Sequence, residues 1–267
     1  MSKKLLLFLS IILSLVSCRY NNQSSSFWNS ITIESEYRPF VFVFSNTDLP
    51  ICADHAQPKL QAILNNTIDS IEGEFVNGVM MYPALTDIHY SNIAEEIKFV
   101  FDNNGNETLE TTPAFFSNMQ CHNIDTLELY QSIITQRQIQ PDINLGIKSS
   151  LSQGNLKVYV KGSYNKSFSA SSHRLAVYSY RKSELANQAT DEGTSLFTMK
   201  NKVVSALTPS LGKDLDAAAK GDEFREILTL DLSGETLDNT GIVAVIYTIE
   251  EGIPVSVANS IKLENHD

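Results

Sequence analysis

The chain has 267 residues, of which 42% are hydrophobic and 19% charged, the proportions of one or two globular domains and not of a disordered chain. Twelve Gly, eight Pro and three Cys exclude a linker-dominated chain and a disulfide scaffold. A formal charge of −11 speaks against nucleic acid as a partner, because such binders need a basic face to displace counterions.

Lys3 and Lys4 precede an apolar run from Leu5 to Leu15, which Leu15-Val16-Ser17-Cys18 closes. A basic start, a short apolar stretch and a small residue before the cut describe a secretory signal peptide. The run is too short for a spanning helix, which needs about 20 apolar residues. Leu-Val-Ser-Cys also matches a bacterial lipobox, in which the Cys is acylated with palmitate-type chains and becomes the mature N-terminus. Residues 1–17 are therefore expected to be removed and Cys18 to be the membrane anchor, the alternative being ordinary secretion with an unmodified Cys18. Residues 18–28, polar and without period from Arg19 to Ser26, read as a tether. No later segment is long and apolar enough to span a bilayer.

From residue 29 to 140 short strands alternate with helices. Ser30–Glu34 and Pro39–Phe44 read as strands, the second apolar enough to be buried on both faces. Asp54–Asn65 reads as a helix from Leu60, Ile63 and Leu64, delayed or kinked by Pro58. Gly78–Tyr82 is a strand, a helix starts near Ser91 with Ile93, Ile97, Val100 and Phe101 on one face, and Pro113–Ser117 is a strand. Asp125 and Glu128 open a last helix. Beyond Pro141 the period becomes two: Leu156, Val158 and Val160 alternate with polar residues, and Ile242–Ile249 and Val255–Ile261 flank the hairpin turn Glu250-Glu251-Gly252. Residues 183–222 look polar and irregular, with a short helix around Leu215–Ala219. The expected architecture is an α/β domain over 29–140 followed by an all-β sandwich over 141–267.

A buried strand, Phe40–Phe44, runs into a loop, then a Cys at a helix start, then a Pro within that helix. Thr112-Pro113 opens a strand about sixty residues later. These features resemble a thioredoxin fold, and the resemblance makes Pro113 the candidate for the cis-proline of such folds. Phe44-Ser45-Asn46-Thr47, Pro113-Ala114-Phe115-Phe116-Ser117-Asn118 and the terminal hairpin at Ile242–Tyr247 are similar to the bacterial lipoprotein family called outer membrane protein 28 related. That family combines a lipobox, a thioredoxin-like domain and a C-terminal β-sandwich. It implies a cell-envelope location, most naturally the outer membrane of a Gram-negative bacterium. The family often carries Cys-x-x-Cys in the loop where this chain has Leu49-Pro50-Ile51-Cys52. The attacking sulfur is thus absent, and dithiol–disulfide exchange needs both sulfurs.

After lipidation Cys52 and Cys121 remain. Cys52 reads as an inert buried Cys sooner than a catalytic monothiol. A Cys52–Cys121 disulfide is allowed by an oxidising compartment, with geometry deciding. Cys52, His55, Cys121 and His122 match zinc by ligand type but not by spacing, so no metal is expected. His89 and His266 are isolated, and His173 reads as a polar surface residue at a strand start. Glu95-Glu96 reads as a solvated helix face. Asp69-Ser70-Ile71 and Asp125-Thr126-Leu127 fit an O-glycosylation triplet that also arises by chance. The Tyr-rich stretch Tyr159–Tyr180 fits a binding face, or ordinary strand residues. No Gly-x-Ser-x-Gly, P-loop or Gly-x-Gly-x-x-Gly occurs, so neither a cofactor nor a catalytic residue is assigned. The resulting expectation is a lipid-anchored envelope protein with a redox-degenerate thioredoxin-like domain, binding an envelope protein or a glycan. The rival is a thiol-dependent oxidoreductase or chaperone centred on Cys52.

Overall fold

Phe40–Phe44, five consecutive large apolar residues, has no face that tolerates water. It forms strand β1, buried along its whole length in the middle of a sheet. The computed structural model describes residues 25–65, 76–103, 113–122, 127–152 and 154–263. After β1 come helix α1 (Pro50–Leu64), β2 (Asn77–Met81), α2 (Asn92–Asn103), β3 (Ala114–Ser117), β4 (Gln120–His122) and α3 (Leu127–Gln136). All-β structure follows: β5 (Ile143–Ser152), β6 (Asn155–Tyr164), β7 (His173–Thr190), β8 (Gly193–Ala206), β9 (Lys213–Asp214), β10 (Glu223–Asp231), β11 (Thr240–Glu250) and β12 (Ile253–Lys262).

The strands make a mixed sheet in the order β12-β11-β7-β8-β2-β1-β3-β4, with β9 also on β7, and a three-stranded sheet β10-β6-β5. The protein is β-rich. β1 and β2 run parallel, and β3 lies antiparallel on the other side of β1. Alternation along β1 divides the core. Phe40, Phe42 and Phe44 join α2 residues Ala94, Ile97 and Phe101 on one face, whereas Val41 and Val43 join α1 and α3 through Leu60, Ile63, Leu129 and Ile133 on the other. Beside α1 and α3, on β7 and β11, Leu175, Val177, Ile242, Ala244 and Ile246 meet Leu156, Val158 and Val160 of the small sheet. The small sheet thus packs against part of the large one.

The division at residue 140/141 follows the change in sequence period, but hydrogen bonding crosses it. β8 pairs with β2 through Met80 and Lys202, so one sheet spans 29–140 and 141–267. The sheet also curls back on itself. The rings of Phe42 in β1 and Tyr247 in β11 stack 6.4 Å apart. Asn77 Nδ2 donates to Ser260 Oγ at 2.8 Å, and Ser260 Oγ donates to the Arg38 carbonyl at 2.7 Å. One sheet and one of the apolar clusters thus draw residues from both sides of position 140/141.

Local differences have local causes. Residues 30–34 make only an isolated bridge, Glu34 to Leu145, and not a strand. α1 starts at Pro50, four residues earlier than expected, because a proline fits the first helical turn where its missing N–H costs nothing. Pro58 stays inside it, exposed, at a position where water can reach the carbonyl its ring leaves unpaired. Residues 183–206, expected to be irregular, complete the long β7–β8 hairpin. Leu215–Ala219 is not helical, and Ala218 makes an isolated bridge to Phe168.

Candidate functional site

The loop between β1 and α1 lies at the carboxyl ends of the parallel strands β1 and β2, where open α/β sheets place ligands. Leu49 is the N-cap of α1 in extended conformation without a side-chain cap, and its carbonyl accepts the Cys52 amide at 3.0 Å. Pro50 and Ile51 fill the first turn, Ile51 exposed, while Cys52 is 1% exposed. Burial pushes the Cys52 thiol up, and the nearby Asp87 charge adds to this. Hydrogen bonding from the Asn46 backbone and the Ser45 side chain only partly opposes it. Cys52 is thus a protonated, shielded thiol, the opposite of an activated nucleophile.

The loop is held from both sides. Asp87, 3% exposed, accepts the Thr47 amide on Oδ2 at 2.6 Å and the His89 amide on Oδ1 at 2.8 Å. From the far half of the chain, Gln188 Nε2 reaches the carbonyls of Thr47 and Leu49, both at 3.0 Å, and the Ala189 amide donates to Thr47 at 2.8 Å. Gln57 on α1 mimics a strand partner: Lys200 N donates to its Oε1 at 3.0 Å, and its Nε2 donates to the Lys200 carbonyl at 3.2 Å. The distal half of the β7–β8 hairpin is thereby fastened over the start of α1.

Beneath the hairpin lies a charged network that sequence spacing does not reveal. His89 Nδ1 stands 3.1 Å from Lys202 Nζ, so Lys202 donates to a neutral imidazole. Lys202 also pairs with Glu184, which Arg181 holds at 2.9 Å, and Arg181 grips Glu235 with two of its nitrogens. Burial and then the Lys202 charge hold His89 below the usual imidazole range. Burial alone would raise Glu184, but Lys202 and Arg181 outweigh it and keep the carboxyl low. Among the described residues, buried His89 Nε2 has no hydrogen-bond partner. The signals are single residues at 89, 181, 184, 202 and 235, so only the fold unites them.

The other predicted sites fall apart or lie elsewhere. Cys52 packs with Val41 and Val43 on one face of the sheet, and Cys121 packs with the cluster on the opposite face. The disulfide allowed between them is not formed: a sheet separates the two sulfurs. The same separation breaks up Cys52, His55, Cys121 and His122, and among the described residues no three His, Cys, Asp or Glu gather to hold a metal. Pro113 lies one residue beyond the Phe44–Ala114 pair, at the end of β1 that leads into the Leu49–Cys52 loop. Thr112, and with it the Thr112–Pro113 bond, lies outside the described residues, as do Cys18, residues 19–24, Asp69-Ser70-Ile71, Asp125-Thr126 and His266. His173 is a correction: it is 3% exposed, because the Phe168 ring, 4.2 Å away, covers the start of the strand it opens. Tyr164, Tyr178 and Tyr180 are likewise buried, which removes most of the supposed tyrosine face. Glu95 and Glu96 are exposed, as expected.

No family model and no curated protein matches this chain. Among solved structures, HBP35 of Porphyromonas gingivalis aligns with a TM-score of 0.68 at 14% identity, over 87% of this chain and 76% of its own. Protein AGR_C_4864 of Agrobacterium tumefaciens aligns with a TM-score of 0.59 at 12% identity, over 87% of this chain and 100% of its own. At such identities the likeness shows a shared fold. A domain of the outer membrane lipoprotein Omp28 from P. gingivalis aligns over 47% of this chain and 89% of its own at 17% identity. Its TM-score of 0.30 is too low for any argument.

Proposed function

We propose that this chain is a lipid-anchored envelope protein in which a thioredoxin-like layer has lost redox chemistry and serves as a binding or scaffolding module. The observation that carries the reading is Cys52: 1% exposed and its thiol pushed up by burial, with Leu49 where the attacking sulfur would stand. The strand order β2-β1-β3-β4, with α1 and α3 on one face and α2 on the other, supports a thioredoxin-like layer. So does Pro113 beside the loop. Fold alone does not give chemistry, and exchange needs an accessible thiolate and a resolving thiol. The anchor follows from the lipobox at Cys18, and the partners in keeping with it are the membrane and an envelope protein or glycan, not nucleic acid.

Two measurements test this reading. The purified protein should reduce insulin disulfides no faster than the buffer control, and native Cys52 should resist alkylation. Turnover that vanishes in Cys52→Ser would establish the thiol enzyme instead. Cys18→Ser should move the protein from the membrane fraction to the soluble one; a variant that still pellets after a high-salt wash defeats the anchor.

A further inference from the structure

Residues 25–29 form a short helical turn that is not free of the fold. The Phe27 ring lies 4.3 Å from the Tyr159 ring, and Trp28 meets the same ring edge-on at 5.6 Å. Arg225 covers Trp28 at 5.7 Å and Lys148 covers Phe27 at 5.6 Å. Tyr159 is on the middle strand of the small sheet, and its register partners are Lys148 on β5 and Ile227 on β10. The start of the described chain is thus pinned to the outer face of the β10-β6-β5 sheet. Gly146 allows the close crossing: a Cβ there would come within 2.3 Å of the Thr32 carbonyl oxygen.

That outer face differs from the chain as a whole. Its central rows are Gly146, Lys161 and Arg225, then Lys148, Tyr159 and Ile227, then Ser150, Lys157 and Thr229. They hold four cations, of which Lys161 is buried, and the flanking rows of the same face add two carboxylates, Glu223 and Asp231, on a chain of net charge −11. The adjoining Glu223 neutralises Lys161, at 2.9 Å, and touches Arg225. Lys157, Arg225, Thr229 and Ile227 are exposed, Ile227 at 56%.

We propose that this face is the membrane-facing surface of the protein, resting on anionic phospholipid headgroups. The proposal builds on the acylation of Cys18. Seven residue steps separate Cys18 from Ser25, and they span at most about 25 Å. Wherever the acyl chains insert, the face that holds Phe27 and Trp28 stays near the bilayer. Exposed Lys157 and Arg225 there meet lipid phosphate, while Trp28, 8% exposed beneath Arg225, reports on the face from just under its surface.

Trp28 is the chain's only tryptophan, so its fluorescence reports this face alone. The acylated full-length protein is reconstituted into phosphatidylcholine vesicles with or without phosphatidylglycerol, each carrying a headgroup nitroxide quencher. Co-flotation with vesicles reads the anchor, and quenching of Trp28 reads the orientation. The expected result is co-flotation in both lipids, with stronger Trp28 quenching when phosphatidylglycerol is present. In Lys157→Glu/Thr229→Glu, whose changes lie on exposed positions away from Trp28, co-flotation should persist. Association of the face should weaken roughly fivefold per unit of charge altered, and the quenching should fall with it. A protein that floats but whose Trp28 is unquenched, or is quenched equally in the variant, overturns the orientation while leaving the anchor intact. A protein that does not float defeats the anchor, and this proposal with it.

Discussion

The side-chain amide of Gln188 donates to the carbonyl oxygen of Leu49 at 3.0 Å, across 139 residues of sequence. Gln188 is 3% exposed and also reaches Thr47. One side chain in the strand-rich half therefore satisfies the loop that would carry the chemistry of the helical half.

Replacing Gln188 by Leu should remove one of two donors from the Leu49 carbonyl, which keeps the Cys52 amide, and one of two from the Thr47 carbonyl, which keeps the Ala189 amide. Both acceptors stay partnered, so the loss is that of ordinary hydrogen bonds, about 0.5–1.5 kcal/mol each. The urea midpoint should fall accordingly, and Cys52 should alkylate faster in the native state as the hairpin loosens. An unchanged midpoint together with an unchanged alkylation rate would show that the contact does not fasten the loop.

This contact also marks where sequence reading stops. The run Phe40–Phe44 announced a strand buried on both faces, and the alternation at Leu156–Val160 announced a strand with one buried face, because period and polarity are local signals. The β7–β8 hairpin was hidden because one side of it packs on α1 through Ala186 and Met199, while Leu185 and Leu196 point to water at 67% and 69% exposure. Polar and apolar residues then lose their usual correspondence with surface and core. Leu49 and Cys52 could be read as a degenerate loop from identity alone. The Asp87 brace, the Gln188 clamp and the His89–Lys202–Glu184–Arg181 network could not, since each joins segments that meet only through the curled sheet.

Leu49→Cys tests the geometry of the loop directly. The Leu49 carbonyl accepts the Cys52 amide at 3.0 Å, a one-turn spacing that brings the two Cα atoms within disulfide range, about 4.4–6.8 Å. Leu49 is half-buried and Cys52 buried, so the pair should oxidise to an intramolecular disulfide detectable by mass spectrometry. It should be reduced slowly by an external thiol as long as Gln188 holds the loop. Failure to form the bond under a glutathione redox buffer would mean that the helix start is not the Cys-x-x-Cys geometry that the thioredoxin-like reading requires.

Acid should weaken the protein before its carboxylates protonate. Burial, then Lys202, lowers the pKa of His89, and burial also lowers those of His122 and His173. In the unfolded chain each imidazole takes up a proton as the pH falls through about 6.5. In the folded chain it does so only at lower pH. Between those points the unfolded state binds more protons, so stability decreases as the pH drops. Above about 6.5 both states are neutral at these sites and the contribution is flat. Glu184 and Glu223, held low in the fold, act in a separate window. Their stabilisation is present above the unfolded carboxylate value of about 4.3 and is lost as the pH falls from there through their lower folded values. Urea unfolding followed between about pH 8 and 5 should therefore show a falling midpoint whose onset lies near the histidine range. His89→Gln retains a carbonyl that can accept from Lys202 but removes the titrating ring, and should flatten part of that fall. A pH profile identical to that of the unmodified protein would show that His89 is not held neutral by its burial and by Lys202.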